Sequence, residues 1–155
     1  MTVYTLVHVV LSLVGIASGL VVLLGLIAGK RHNASTAVFL ATTAATSLTG
    51  YGFPFDHLLP SHIVGAISLV VLALAIYARY GRHLSGGWRT VYVIGATTAL
   101  YLNVFVLVVQ SFMKVPVLHD LAPTQSEPPF AVAQLAVLIL FIVLGTLAVR
   151  GSRKA

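Results

Sequence analysis

Four polar side chains sit where chemistry is expensive. His8, His62, Gln110 and Gln134 each fall in or at the edge of a long apolar stretch. Counted along the chain, each lies within about one turn of the same end of its segment, roughly 6 Å inside at 1.5 Å per residue. Polar groups in hydrocarbon cost several kcal/mol unless satisfied. The four are therefore expected to turn inward and line a polar recess. Asn103 lies deeper, seven residues from Gln110 on the same face. Its amide is expected either to extend the wall of that recess or to join two helices. Above the recess stand Asp56, His57, His119, Asp120 and Glu127.

Three ligand chemistries suit such a set. A haem b asks for two imidazoles at matched depth, which His8 and His62 provide, with Ser12, Gly15, Gly65 and Ala66 leaving room for the ring. A quinone asks for an apolar slot with one or two polar contacts, which His8, Gln110 and Gln134 could make beside Tyr4 or Tyr51. A divalent metal asks for three or four ligands, for which His57, His119, Asp56, Asp120 and Glu127 are candidates, with His62 nearby. No H-E-x-x-H pattern or i, i+4 His pair supports the metal. The chain has no Cys, so thiolate sites and disulfides are excluded. No nucleophile elbow or phosphate loop is legible, and a catalytic activity is not expected.

The elements that must hold these groups are membrane helices. The chain of 155 residues is 59% hydrophobic and only 8% charged, with mean hydropathy +1.03. A soluble domain carries about 25% charged residues, so this one cannot cover a water-facing surface. Five apolar segments are expected as one all-α bundle, over about 4–28, 35–51, 61–80, 89–112 and 130–149, forming a single domain. The second is the shortest and most polar. Asn33 and Ser35 offer it N-cap residues. Met1 to Val10 has no Lys or Arg, so the first segment is expected to be retained rather than cleaved as a signal peptide.

Charge sets the topology. Lys30, Arg31, Arg79, Arg82, Arg89, Arg150, Arg153 and Lys154 flank one set of segment ends, and Lys114 alone flanks the other. By the positive-inside rule the N-terminus is outside and the tail cytoplasmic, which five spans satisfy. Asp56, Asp120 and Glu127 then all lie outside. The net charge of +6 is topological; there is no basic arm with interleaved aromatics, and nucleic acid is not an expected partner. The longest loop, Lys114 to Pro129, is rich in proline and is expected to cover the mouth of the recess.

Small residues punctuate the segments. Gly15, Gly19, Gly25 and Gly29 repeat at four- to six-residue intervals in the first, and Gly65, Ala66 and Ala73 occur in the third. These let helix backbones approach closely, within the bundle or in a homo-oligomer or larger membrane complex. Thr42, Thr46 and Thr49 form a stripe expected to bond its own i−4 carbonyls. Besides ligand binding, the pattern equally suits an accessory subunit with no chemistry of its own.

Two stretches carry a resemblance. They are Tyr101-Leu102-Asn103-Val104-Phe105-Val106-Leu107-Val108-Val109-Gln110 with Lys114-Val115-Pro116, and Ala122-Pro123-Thr124-Gln125-Ser126-Glu127-Pro128-Pro129-Phe130. They resemble a group of small bacterial inner-membrane proteins. The resemblance implies a bacterial inner membrane and brings no activity, cofactor or site residue.

Overall fold

The computed structural model describes residues 2–54 and 60–154. Six helices make up the fold, with no strand among the described residues: α1 Val3–Ile27, α2 Asn33–Gly50, α3 Pro60–Ile76, α4 Trp88–Lys114, α5 Pro116–Leu121 and α6 Pro128–Ser152. A π turn, Tyr77–Gly81, prolongs α3. Four of these are long and apolar enough to cross a bilayer: α1, α3 with its π turn (61–81), α4 and α6. That is the signature of a membrane protein. The helix α2 is not among the four, because Ser35, Thr36, Thr42, Thr43, Thr46, Ser47 and Thr49 dilute its apolar content.

The most buried of the four is α4, and α6 is the least. Small residues make α4 central. Gly95, Ala96 and Ala99 are buried, and a Cβ on Gly95 would stand 3.3 Å from that of Ala75 on α3. The seam between α1 and α2 is built the same way. Gly19 meets Phe39, and Gly15 meets Thr43, so the glycine repeat of α1 is spent inside the chain. Within lipid there is little hydrophobic drive between helices, and close packing of this kind does the joining. The outward faces of α3 and α6 are aliphatic, with Ile63, Val70, Leu74, Val132, Leu135, Ile139 and Ile142 all at least half exposed.

Antiparallel to α1, α2 runs along most of its length. Gly25 faces His32 at one end, and Tyr4 and His8 face Thr49 at the other. The basic loops gather at the Gly25–His32 end, the second pole. There the Arg79 Nη2 donates to Asn33 Oδ1 at 2.6 Å, and Gly29 packs on Lys154 and Gly151. The α1–α2 loop, the π turn and the tail thus share one end of the bundle.

Three local expectations change. The second helix starts at Asn33, with His32 as its N-cap and no side-chain cap bond, because the Asn33 amide is used by Arg79 instead. The long proline-rich loop contains α5, which Pro116 opens at a position where its missing N–H costs nothing. The third segment ends in π geometry rather than in a plain α turn. The threonine stripe behaves as expected: Thr42, Thr46 and Thr49 donate to Val38, Thr42 and Ala45 carbonyls at 2.6, 2.8 and 2.7 Å.

Candidate functional site

At the Thr49 end of α2, the first pole, several polar groups have partners on neighbouring helices. The His8 Nδ1 lies 2.7 Å from Thr49 Oγ1. Thr49 already donates its hydroxyl proton to Ala45 O at 2.7 Å. The imidazole must then be the donor, which fixes the proton on Nδ1 and leaves Nε2 as an acceptor in the neutral ring. The Phe53 ring stands edge-on to His8 and to Tyr4, at 5.1 and 5.0 Å between centroids. The Tyr4 hydroxyl donates to Thr49 O at 2.6 Å, satisfying a carbonyl in the last turn of α2. His8 is half-buried.

His62 is buried on α3, with its ring 5.3 Å from that of Tyr51. The Tyr51 hydroxyl donates to the His62 carbonyl, and Gly65 leaves space for the tyrosine ring. Thr49 and Tyr51 are two residues apart, about 200° around a helix at 100° per residue. His8 and His62 therefore stand on opposite flanks of α2, and among the described residues α1 and α3 share almost no contact. One haem cannot take both imidazoles across an intervening helix. The room expected for a ring is also filled, since Gly15 meets Thr43 and Asn103, and Gly65 meets Tyr51. The residues do not fit bis-imidazole haem ligation.

The remaining residues divide between helix joints and the surface. Asn103 is buried at the α1–α4 joint, accepting from Ser12 Oγ at 2.9 Å and donating to Ser12 O at 3.4 Å. On α6, Gln134 donates to Phe105 O at 3.3 Å, and its buried Oε1 has no donor. Gln110 is half-buried on α4. His119 and Asp120 are exposed on α5. Glu127 holds the turn before α6: it accepts from Thr124 Oγ1 at 2.7 Å and from the Ser126 amide at 3.1 Å. The Thr124 hydroxyl, helped by the Thr124 and Ser126 amides, keeps this carboxyl below the ordinary glutamate range. Among the described residues no three of His, Asp and Glu gather as a metal site. Asp56 and His57 lie outside the described residues. The proline-rich segment is docked on the bundle, with Gln125 Nε2 donating to Val109 O at 3.0 Å and Ala122 buried.

Sequence reasoning did not single out Phe53, and it treated the basic residues only as topological markers. At the second pole Lys30, Arg31, Arg79 and Arg89 line one cleft with Thr36 and Tyr92. The spacing of Arg89 and Tyr92, i and i+3 at the start of α4, was the available signal. Comparison with protein-family models, curated proteins and solved structures finds no match for this chain.

Proposed function

We propose that the chain is a five-span protein of the bacterial cytoplasmic membrane, N-terminus outside, that binds a small ligand at its outer pole through one imidazole. The observation that carries this is the His8–Thr49 bond. With Nδ1–H committed, His8 offers a neutral acceptor in a half-buried setting walled by Tyr4 and Phe53. A hydroxyl donor suits it better than a carbonyl, so the reduced, quinol form of a quinone is the favoured ligand and haem is not. The fifth span is supported by α2 pairing with α1 from Gly25 to Tyr4, and by the common pole of both basic loops and the tail. Five crossings bring those three segments to one side, which the positive-inside rule makes cytoplasmic.

Purified protein extracted with organic solvent should release membrane quinone, and a short-chain quinol should bind in calorimetry. His8→Ala should abolish that binding while His119→Ala leaves it intact. Equal binding by the two variants, or none by the parent, would sink the reading.

A second reading, an accessory subunit of a larger membrane complex, draws on the aliphatic outer face of α6, the least buried of the four long apolar helices. A stoichiometric partner retained in mild detergent would support it. A single-species protein that still binds quinol would not.

A further inference from the structure

The cleft at the basic pole is lined by cations, with no described carboxylate to match them. Lys30, Arg31, Arg79 and Arg89 all line it. Neither described acid, Asp120 nor Glu127, is at this pole. Arg79 commits one of its N–H groups to Asn33 at 2.6 Å and otherwise lies over the rings of Tyr80 and Tyr92, at 5.6 and 5.4 Å. It is carried by the π turn, a geometry that recurs at functional sites.

Two buried donors in the cleft are unpaired. The Arg89 Nε–H has no acceptor. The Tyr92 hydroxyl has none either, although the side chain is only 1% exposed. Thr36 and Arg79 neighbour the hydroxyl, but neither meets it with hydrogen-bond geometry. A buried polar group without a partner calls for an explanation, and a bound ligand is one. Arg89 and Tyr92 lie one turn apart on α4, so one anion can meet both.

We infer that this cleft binds the phosphate of an anionic membrane lipid, with Arg89 and Arg79 as charged donors and Tyr92 as the neutral one. Guanidinium forks match phosphate oxygens, and charge-assisted bonds of this kind are the strong ones. The enclosed space is about 10 Å³, room for about a single water. Only a phosphate oxygen enters it, and the rest of the ligand lies outside. What lies outside suits an amphiphile. Tyr77 and Tyr80 are each 50% exposed at this level, an interfacial aromatic pattern, and the half-exposed aliphatics Leu24 and Val21 continue along α1 beyond the cleft. Basic pockets between helices on the cytoplasmic side are a recurrent lipid-headgroup site.

The test uses the full chain, delipidated in a neutral detergent. Phosphatidylglycerol, phosphatidylcholine and inorganic phosphate are titrated separately, and binding is read by native mass spectrometry and thermal unfolding. Phosphatidylglycerol should bind and raise the unfolding temperature, and phosphatidylcholine should do neither. Tyr92→Phe should weaken that binding about tenfold, the loss of one hydrogen bond to a charged group. Without lipid the same variant should unfold at the parent temperature or above it, because it removes an unpaired hydroxyl. A merely structural tyrosine would not give this crossed result. Arg89→Gln should weaken binding further; should it not fold, Tyr92→Phe carries the test. Equal response to the two lipids overturns the inference. So does parent-like lipid binding by Tyr92→Phe. Inorganic phosphate acting at the same concentration as phosphatidylglycerol overturns the lipid assignment and leaves a free-phosphate site.

Discussion

Asn103 offers the sharpest measurement of how this bundle is joined. It is buried on the most buried helix, and it meets Ser12 through one good and one long bond, 2.9 and 3.4 Å. Interhelical hydrogen bonds in membranes average about 0.6 kcal/mol and reach about 1.7. One short bond of the two puts the Ser12–Asn103 coupling near ~1 kcal/mol, about fivefold in the unfolding equilibrium. The single variants should not be equal. Ser12→Ala leaves the Asn103 Oδ1 buried without a donor, which costs about 1–2 kcal/mol. Asn103→Leu keeps the volume, and the Ser12 hydroxyl it frees can turn to the His8 carbonyl four residues back. That change should cost less than ~1 kcal/mol. Asn103→Ala adds a cavity and should cost about 2 kcal/mol or more. The order of damage is therefore Asn103→Ala, then Ser12→Ala, then Asn103→Leu. Unfolding in maltoside with added dodecyl sulfate, followed by Trp88 fluorescence and circular dichroism, gives each value and the double-variant coupling. Zero coupling, or Asn103→Leu as the worst of the three, would refute the joint and return Asn103 to the wall of a binding site.

Other perturbations follow from the same contacts. A Cβ on Gly151 would strike the backbone carbonyl oxygens of Leu26 and Ile27, which cannot yield as side-chain tips can. Gly151→Ala should thus cost about 1–3 kcal/mol of overpacking. Gly19→Ala meets side-chain atoms of Leu100 and Phe39 at 2.7 and 2.8 Å rather than backbone and should cost less. Gly87→Ala, with nothing within 4 Å, should be neutral; three equal unfolding midpoints would contradict this. Glu127 has a folded pKa below its unfolded one, so its contribution is present above the ordinary glutamate pKa, about 4.3, and is lost as pH falls through the depressed value. Protection of the Thr124 and Ser126 amides, taken as their exchange rate relative to a free peptide at the same pH, should hold from neutrality to about pH 5 and fall on further acidification. In Glu127→Gln protection should be weaker and independent of pH over this range, and identical protection in parent and variant would rule the turn out as the cause.

Position along each helix was legible in the sequence, and azimuth was not. Counting residues put His8, His62, Gln110 and Gln134 near one level, but a level says nothing about which neighbour a side chain faces. That depends on the order of helices around the bundle, set by where glycine and alanine allow close approach. The stripe His8, Ser12, Gly15, Gly19 was readable because periodicity along one helix is local, and its members do face other helices: Thr49, Asn103, Thr43 and Phe39. The partners were not readable, because α2 lies between α1 and α3. The five long helices were visible as apolar runs. The π turn and α5 were not, since each is about one turn long and leaves no periodic trace. Lys30, Arg31, Arg79 and Arg89 were visible as charges at segment ends, but their convergence on Tyr92 needs the loops folded together.

The two poles differ in what they leave unused. At the first, four donors are spent: His8 Nδ1–H on Thr49, Tyr4 on the Thr49 carbonyl, Tyr51 on the His62 carbonyl, Gln134 on the Phe105 carbonyl. What remains there is acceptor capacity, on His8 Nε2 and on the buried Gln134 Oε1. At the second, acceptors run out first, and the Arg89 Nε–H and the Tyr92 hydroxyl are left over. Leftover capacity of opposite sign selects ligands of opposite kind. A hydroxyl donor fits the first pole and a phosphate acceptor the second, and exchanging the two would leave each pole less satisfied than it is empty. The charge distribution fits this at the second pole: with net charge +6 and the described acids at the far end, an anion bound there comes from outside the chain.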